Sequence, residues 1–371
     1  MLPYRRPAWA RPRRLLPGPL SRALATVGLA FVLAPAPVCA DAGLPYELGQ
    51  GYPLPWLGLT AGGYATLRAG NLEGEPAKAV VKDLSLFLHA DLGPRWHFFT
   101  ELELGDPIAW TRDGLTTSDA EFDTERLYVD HNLTPAATLR LGKFLTPVGR
   151  WNLIHADPLV WSVFRPLTTS AAFARHASGI SLLGTLPLAD SSLDYLVFAD
   201  DSRVLDIASA YEATYLEAPV TPNPDNVFDQ GGGLRLTYRA FDDALQIGLS
   251  AARFTLIEAP GTQDLVGTDL FYTRTGLELT GEAVYRRGPG PNGDVWGGFA
   301  QLVVPLGHQF FAVLSGERYK AAGYAQATDI GHLGLAYRPL PALTFKLESQ
   351  ESHGVEALAP DGWQFSVSVL F

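Results

Sequence analysis

The chain has a single cysteine (Cys39) and a single methionine (Met1) among 371 residues, both within its first 40. Beyond that point no disulfide can form and no thiolate can hold a metal, so stability must come from elsewhere. Long apolar runs are missing too. Ala23–Leu33 counts eleven residues, whereas a spanning helix needs roughly 20. The sequence has no HExxH, no GxSxG, no nucleotide-binding glycine loop and no Cys/His cluster. Those are signatures of hydrolases, nucleotide-binding proteins and metalloenzymes, so neither an enzymatic activity nor a cofactor or metal is expected.

Basic side chains are few and unevenly placed. Residues 1–22 hold six arginines, Arg5, Arg6, Arg13 and Arg14 among them, and no acid. The apolar run Ala23–Leu33 and the small residues Val38 and Ala40 follow. A positive region, a short apolar core and small residues describe a secretory signal, residues 1–40, expected to be cleaved after Ala40. A lipid anchor on Cys39 fits poorly, because Ala36-Pro37-Val38 is unlike the leucine-led, small-residue approach such anchors use. Those 40 residues hold six of the 28 basic side chains and none of the 39 acids, so 22 basic groups then face 39 acidic ones, a net charge of −17. Such acidity argues against nucleic acid as a partner.

What the remaining chain does have is alternation. Sixteen segments of about ten residues, from 57–69 to 363–371, switch between apolar and polar at every second position, the pattern of a transmembrane β-strand. In 343–350, Leu343, Phe345 and Leu347 share one face, and Thr344, Lys346, Glu348 and Gln350 the other. The connections alternate between short turns such as Leu92–Arg95, Leu133–Ala136 and Thr275–Gly276 and longer loops. Seven short turns and eight longer loops result when both ends of sixteen strands lie on the short-turn side. An all-β, antiparallel up-and-down barrel over 57–371 follows, with 41–56 as a periplasmic lead-in. A lipid-facing charge at mid-depth costs about 2–4 kcal/mol. Glu101, Arg126, Arg235, Glu278, Glu282, Lys346 and Glu348 are therefore expected on a wet inner wall. By strict counting Lys143, Arg253 and Arg318 fall on the apolar face, and they are expected at the outer rim or beyond a bulge.

The thirty residues Pro147–His176 break the pattern. They contain three prolines (Pro147, Pro158, Pro166), which cannot donate to a sheet ladder. Arg150, Arg165, Arg175, His155 and His176 face only Asp157 there, in a chain that is otherwise acidic. A loop this long in a compact structure usually has a function.

The closing segment Trp363–Phe371 alternates without interruption and ends on phenylalanine, and it resembles the closing strand of Gram-negative outer-membrane proteins. With sixteen strands the chain resembles the general porins, and Gly142–Asn152 (GKFLTPVGRWN) is loosely similar to strand-to-loop segments of phosphate-selective-type porins. The arginine ladder and lysine cluster of the phosphate-specific members do not map onto this sequence, so phosphate is not carried over. The resemblance implies passive diffusion of small hydrophilic solutes or ions across the outer membrane. It also implies a third external loop folded into the bore as a constriction, contact with lipid and lipopolysaccharide, and a homotrimer.

At that constriction Arg150, His155, Asp157, Arg165, Arg175 and His176, with Arg140 on the preceding segment, would favour anions. Alternatively the arginines pin the loop to the wall through Glu101, Glu103, Asp130 or Asp194. Trp151, Trp161, Phe164 and Phe173 would either stack a solute or pack the loop. Acids around 105–122 and 201–229 would form an acidic outer mouth. The main alternative function is a non-conducting structural or adhesin-like barrel.

Overall fold

Along Leu343–His353 the inward residues Thr344, Lys346, Glu348, Gln350 and Ser352 are buried, and Leu347, between them, is exposed. Polar residues hidden and apolar residues exposed is the inverse of a soluble sheet, and the same inversion runs around the molecule. In this computed structural model the described residues are 46, 51–117, 120–154, 156–205, 227–257, 261–290, 293–355 and 358–371. The secretory signal, His155 and most acids of the 201–229 loop lie outside them.

In chain order the strands are β1 (Tyr52–Leu54), β2 (Leu59–Leu72), β3 (Lys78–Asp91), β4 (Trp96–Thr111), β5 (Gly114–Thr116), β6 (Glu121–Thr134), β7 (Ala137–Leu145), β8 (His176–Pro187) and β9 (Ser191–Asp200). They continue with β10 (Phe228–Ala240), β11 (Leu245–Leu256), β12 (Gln263–Arg274), β13 (Leu277–Arg287), β14 (Val295–Gly307), β15 (Phe310–Lys320), β16 (Thr328–Leu340), β17 (Leu343–His353) and β18 (Gly362–Leu370). Among the described residues sixteen long strands form a closed antiparallel barrel, each beside its sequence neighbour, with β18 returning to β2. The two short strands are additions. β5 pairs back onto the end of β4, and β1 pairs with Leu59–Ala61, so the sheet starts five residues before the expected position 57.

The outward residues form an apolar belt that includes Leu127, Leu141, Val197, Leu249, Val266 and Leu333. Inside, Arg235 makes two hydrogen bonds to Asp269 (2.6 and 2.8 Å), Arg126 binds Glu101 (2.5 Å), and Glu278 shares the phase of Thr280 and Glu282. Arg253 and Arg318 lie exposed towards the loop-side ends of β11 and β15, bound to Asp264 (2.6 Å) and Asp329 (3.5 Å). Lys143, two residues from the loop-side end of β7, differs from them in exposure. It is buried, with its ammonium 3.8 Å from Asp123, and a neighbouring carboxylate is what makes such burial tolerable.

Closure depends on a close approach. The Phe371 N–H donates to the Gly63 carbonyl (2.8 Å) and the Gly63 N–H to the Phe371 carbonyl (2.7 Å). A Cβ on Gly63 would run into the Ser85 carbonyl and stand 3.0 Å from the Phe371 ring. Gly63→Val should therefore destabilise the barrel by about 1–3 kcal/mol, read as an earlier loss of the compact folded band on heating before electrophoresis. An unchanged melting profile would show that the seam is loose.

Candidate functional site

Residues 146–175 join β7 to β8, and their contacts lie far around the barrel. The neck is closed by the Thr146 N–H on the Arg175 carbonyl (2.9 Å). Among the described residues a 3-10 turn (Trp151–Ile154) and one helical turn (Leu167–Ser170) are the regular structure within. A segment with three prolines and little internal hydrogen bonding leaves backbone donors to be satisfied elsewhere.

Three inward carboxylates satisfy them. Glu282 on β13 accepts the N–H groups of Arg150 (2.8 Å) and Trp151 (2.5 Å) on one oxygen. Glu348 on β17 accepts those of Val163 (2.6 Å) and Phe164 (2.9 Å), also on one oxygen. Glu317 on β15 uses both oxygens, one for the Leu167 N–H (3.0 Å) and one for the Thr168 N–H and hydroxyl (both 2.6 Å). Cations hold the loop carbonyls in turn. Lys346 donates to Asp157 (2.8 Å) and Ser162 (3.0 Å), Arg286 to Ala172 (2.8 Å), and Arg338 to Val160 (3.2 Å). The loop leaves from β7 and is bound by β13, β15, β16 and β17, so it crosses the bore. Gly149, at φ +66°, fits because a Cβ there would overlap the Glu282 carboxylate.

The loop aromatics pack. Trp151 is buried with Val160 and Phe299, Trp161 lies 4.7 Å from Phe311, Phe164 lies 5.4 Å from His332, and Phe173 is 1% exposed in the main apolar cluster. That cluster, with Phe144, Val148, Leu167 and Phe198, fills the space between loop and wall. Asn152, fully buried, donates to the carbonyls of Thr146 (2.9 Å) and Arg175 (3.1 Å) and accepts from Arg165 (2.8 Å). Asn152→Ala should cost about 1–3 kcal/mol by stranding these groups, and a lowered unfolding temperature in detergent would register it.

The basic residues of the region separate into different roles. Arg140 is bound to Asp130 through two hydrogen bonds (2.8 and 2.9 Å) on the wall and does not meet the loop arginines. Arg150 lies over the Phe271 ring at 3.9 Å. Burial pulls its pKa below the ordinary arginine value, while Glu278 and Glu282 act in the opposite direction. Arg175 and His176 both reach Glu125 (3.3 and 2.8 Å). Of the wall acids expected to pin the loop arginines, Glu103 and Glu101 lie within electrostatic reach of Arg175, while the hydrogen bonds of all four go to other partners. Glu101 holds Arg126, Glu103 accepts from Tyr64 and Ser85, Asp130 holds Arg140, and Asp194 pairs with Arg239 and Thr185. The loop is pinned chiefly through its backbone.

Among the described residues one cavity lies between the loop and the β2 to β4 side of the wall, and a second lies between the loop and the β15 to β18 side. Tyr64, Arg68, Lys82, Asp83, Glu103, Trp151, Asp157, Val163, Arg165 and Arg175 line one; Arg68 and Arg165 also line the other, with Gln350 and Gln364. Asp157 lies 3.3 Å from Arg68 and 3.6 Å from Lys346. Arg68, Lys82, Asp83, Glu125, Arg286, Glu317 and Arg338 were not singled out in the sequence. For Glu317 a signal existed, since it shares an inward phase with Val313 and Tyr319.

No family model matches the chain, and no curated protein matches its sequence. Solved structures do match in fold. The anion-selective porin from Comamonas acidovorans aligns with 17% identity and a TM-score of 0.55, covering 84% of this chain and 99% of that one. OmpF of Salmonella typhi, solved in complex with daunomycin, gives 8% and 0.57 over 84% and 97%. The outer membrane channel DcaP of Acinetobacter baumannii gives 10% and 0.55 over the same shares. At these identities the likeness is one of architecture: the chain has the closed sixteen-stranded barrel fold of outer-membrane porins.

Proposed function

We propose that this protein is an outer-membrane diffusion channel for small hydrophilic solutes and ions, exported on residues 1–40, with residues 147–176 as its constriction. The observation that carries the reading is the loop strapped across the bore by Glu282, Glu317 and Glu348, which leaves one cavity beside β2 to β4 and another beside β15 to β18. Ions would then pass Arg68, Lys82, Arg165 and Arg175 beside Asp83, Glu103 and Asp157, with Arg68 paired to Asp157, Lys82 to Asp106 and Arg175 to Glu125. Selectivity in a pore follows its narrowest charges, so the preference is for anions. The similar anion-selective porin carries that property in its name. A homotrimer is part of the same reading, supported by a similar outer-membrane protein solved as a trimer. The apolar belt supplies the lipid contact, and the outer loops supply lipopolysaccharide contact.

Purified protein in planar bilayers should give discrete conductance steps, with chloride more permeant than potassium in a salt gradient. Folded, inserted protein that passes no current would favour the structural barrel instead. Equal permeabilities would remove the anion preference and leave the channel.

A further inference from the structure

The wet inner wall carries rings in one place that the loop does not explain. On the β2 to β7 side, Tyr64 lies 5.8 Å from Phe87, Phe87 lies 6.0 Å from Phe99, and Phe99 stacks on Tyr128 at 5.3 Å with 24° between planes. Two guanidiniums join them, Arg126 at 4.7 Å over Phe99 and Arg140 at 3.8 Å over Tyr128. All six point inward. Phe87 stands opposite Glu101, Phe99 opposite Tyr128, and Arg140 opposite Asp130, while Leu86 and Leu127 face outward between them.

Elsewhere the inward positions are either polar, as at Thr280 and Glu282 on β13, Thr344 and Gln350 on β17, and Ser366 and Ser368 on β18, or apolar and buried in clusters, as at Phe198, Phe254, Val303 and Val313. Inward aromatics there, Phe271, Phe299 and Phe311 among them, are covered by the loop. Among the described residues Phe87 and Phe99 belong to none of the apolar clusters, and both rings remain partly exposed; Tyr128 borders the main cluster. Partly exposed phenylalanines facing a water-filled bore lose hydration free energy that threonine or serine would not. The row begins three or four residues from the short turn between β3 and β4, in the half of the bore away from the external loops.

The charges of this row are already met, Arg126 by Glu101 (2.5 Å) and Arg140 by Asp130 (2.8 and 2.9 Å). The arginines therefore add little net field and present flat, delocalised surfaces beside flat rings. Such surfaces attract other planar π systems through stacking and through the ring quadrupole.

From this geometry we infer that Phe87, Phe99, Tyr128, Arg126 and Arg140 form a binding track for planar aromatic solutes traversing the bore. The transport consequence rests on the channel reading above, but the binding does not. A sugar ring is a poorer occupant, because the row offers few hydrogen-bonding groups not already engaged with one another.

The test compares benzoate with cyclohexanecarboxylate, which share charge and approximate size but differ in planarity and π character. Calorimetric titration of the folded protein in detergent should show benzoate binding about five-fold tighter, the equivalent of a stacking gain of about 1 kcal/mol. In bilayers, benzoate should lengthen current blockades by a similar factor. Phe87→Leu combined with Phe99→Leu keeps the apolar volume and removes the π faces, and should bring the ratio close to one. Arg126→Lys keeps the pair with Glu101 and should lower it partway. Equal binding of the two acids by the unaltered protein overturns the proposal, as does a ratio that survives both sets of substitutions. A barrel that passes no current yet still prefers benzoate in calorimetry would refute the channel reading and leave the track standing.

Discussion

Replacing Glu317 and Glu348 together by alanine should convert a quiet channel into one with larger and noisier current. The two carboxylates accept four backbone N–H groups from Val163, Phe164, Leu167 and Thr168. A buried donor left unsatisfied costs about 1–3 kcal/mol, so the double replacement removes up to roughly 4–12 kcal/mol of loop attachment. Water entering the bore recovers part of that, which makes the range an upper bound. The barrel itself should survive, because its ladder involves neither side chain.

Glutamine separates the two sites further. Glu348 uses a single oxygen for both donors, and an amide carbonyl can replace it. Glu317 uses both oxygens, so Glu317→Gln sets an NH2 group against a donor and should be the more disruptive single change. Single-channel recording and proteolysis of the folded protein within 160–170 would report release. A double variant with unaltered conductance and protease resistance would show that apolar packing alone holds the loop.

The second expectation concerns charge. Arg165 lines both cavities beside the loop, whereas Arg150 lines neither and rests on Phe271. Removing one charge about 5 Å from a passing ion, at the dielectric constant of water, changes its energy by about 0.8 kcal/mol, or roughly four-fold in permeability ratio. Arg165→Gln keeps a donor for Asn152 and should shift the reversal potential towards cation preference by about that ratio. Arg150→Gln should shift it much less. The recordings belong near 0.1 M salt, where the screening length is still about 10 Å. Equal shifts from both substitutions would place the narrowest point elsewhere.

The barrel was legible because lipid imposes a period of two on every strand. The turn at Thr275–Gly276 and the alternation of 343–350 reappear in the structure with their faces as read. Strand ends were less legible. β4 continues to Thr111, seven residues beyond the alternation read over 96–104. Bulges at Thr66/Leu67, Val81/Asp83 and Glu101/Leu102 put two residues against one, so counting by twos loses phase beyond them. The loop announced itself through its prolines and its excess of arginine. Its fastenings did not, because they join carboxylates to backbone N–H groups, and an amide donor is the same at every residue except proline.

The seam between β2 and β18 has a consequence for biogenesis. These are the first and last of the sixteen long strands, and their register brings Tyr64 opposite Leu370. No intermediate with fewer strands can satisfy both edges, since every partial sheet presents two rows of unpaired amides to hydrocarbon. Insertion should therefore approach all-or-none behaviour, with ring completion removing the last unpaired edges. A chain interrupted anywhere in β18 should accumulate as edge-exposed species prone to pair with copies of themselves.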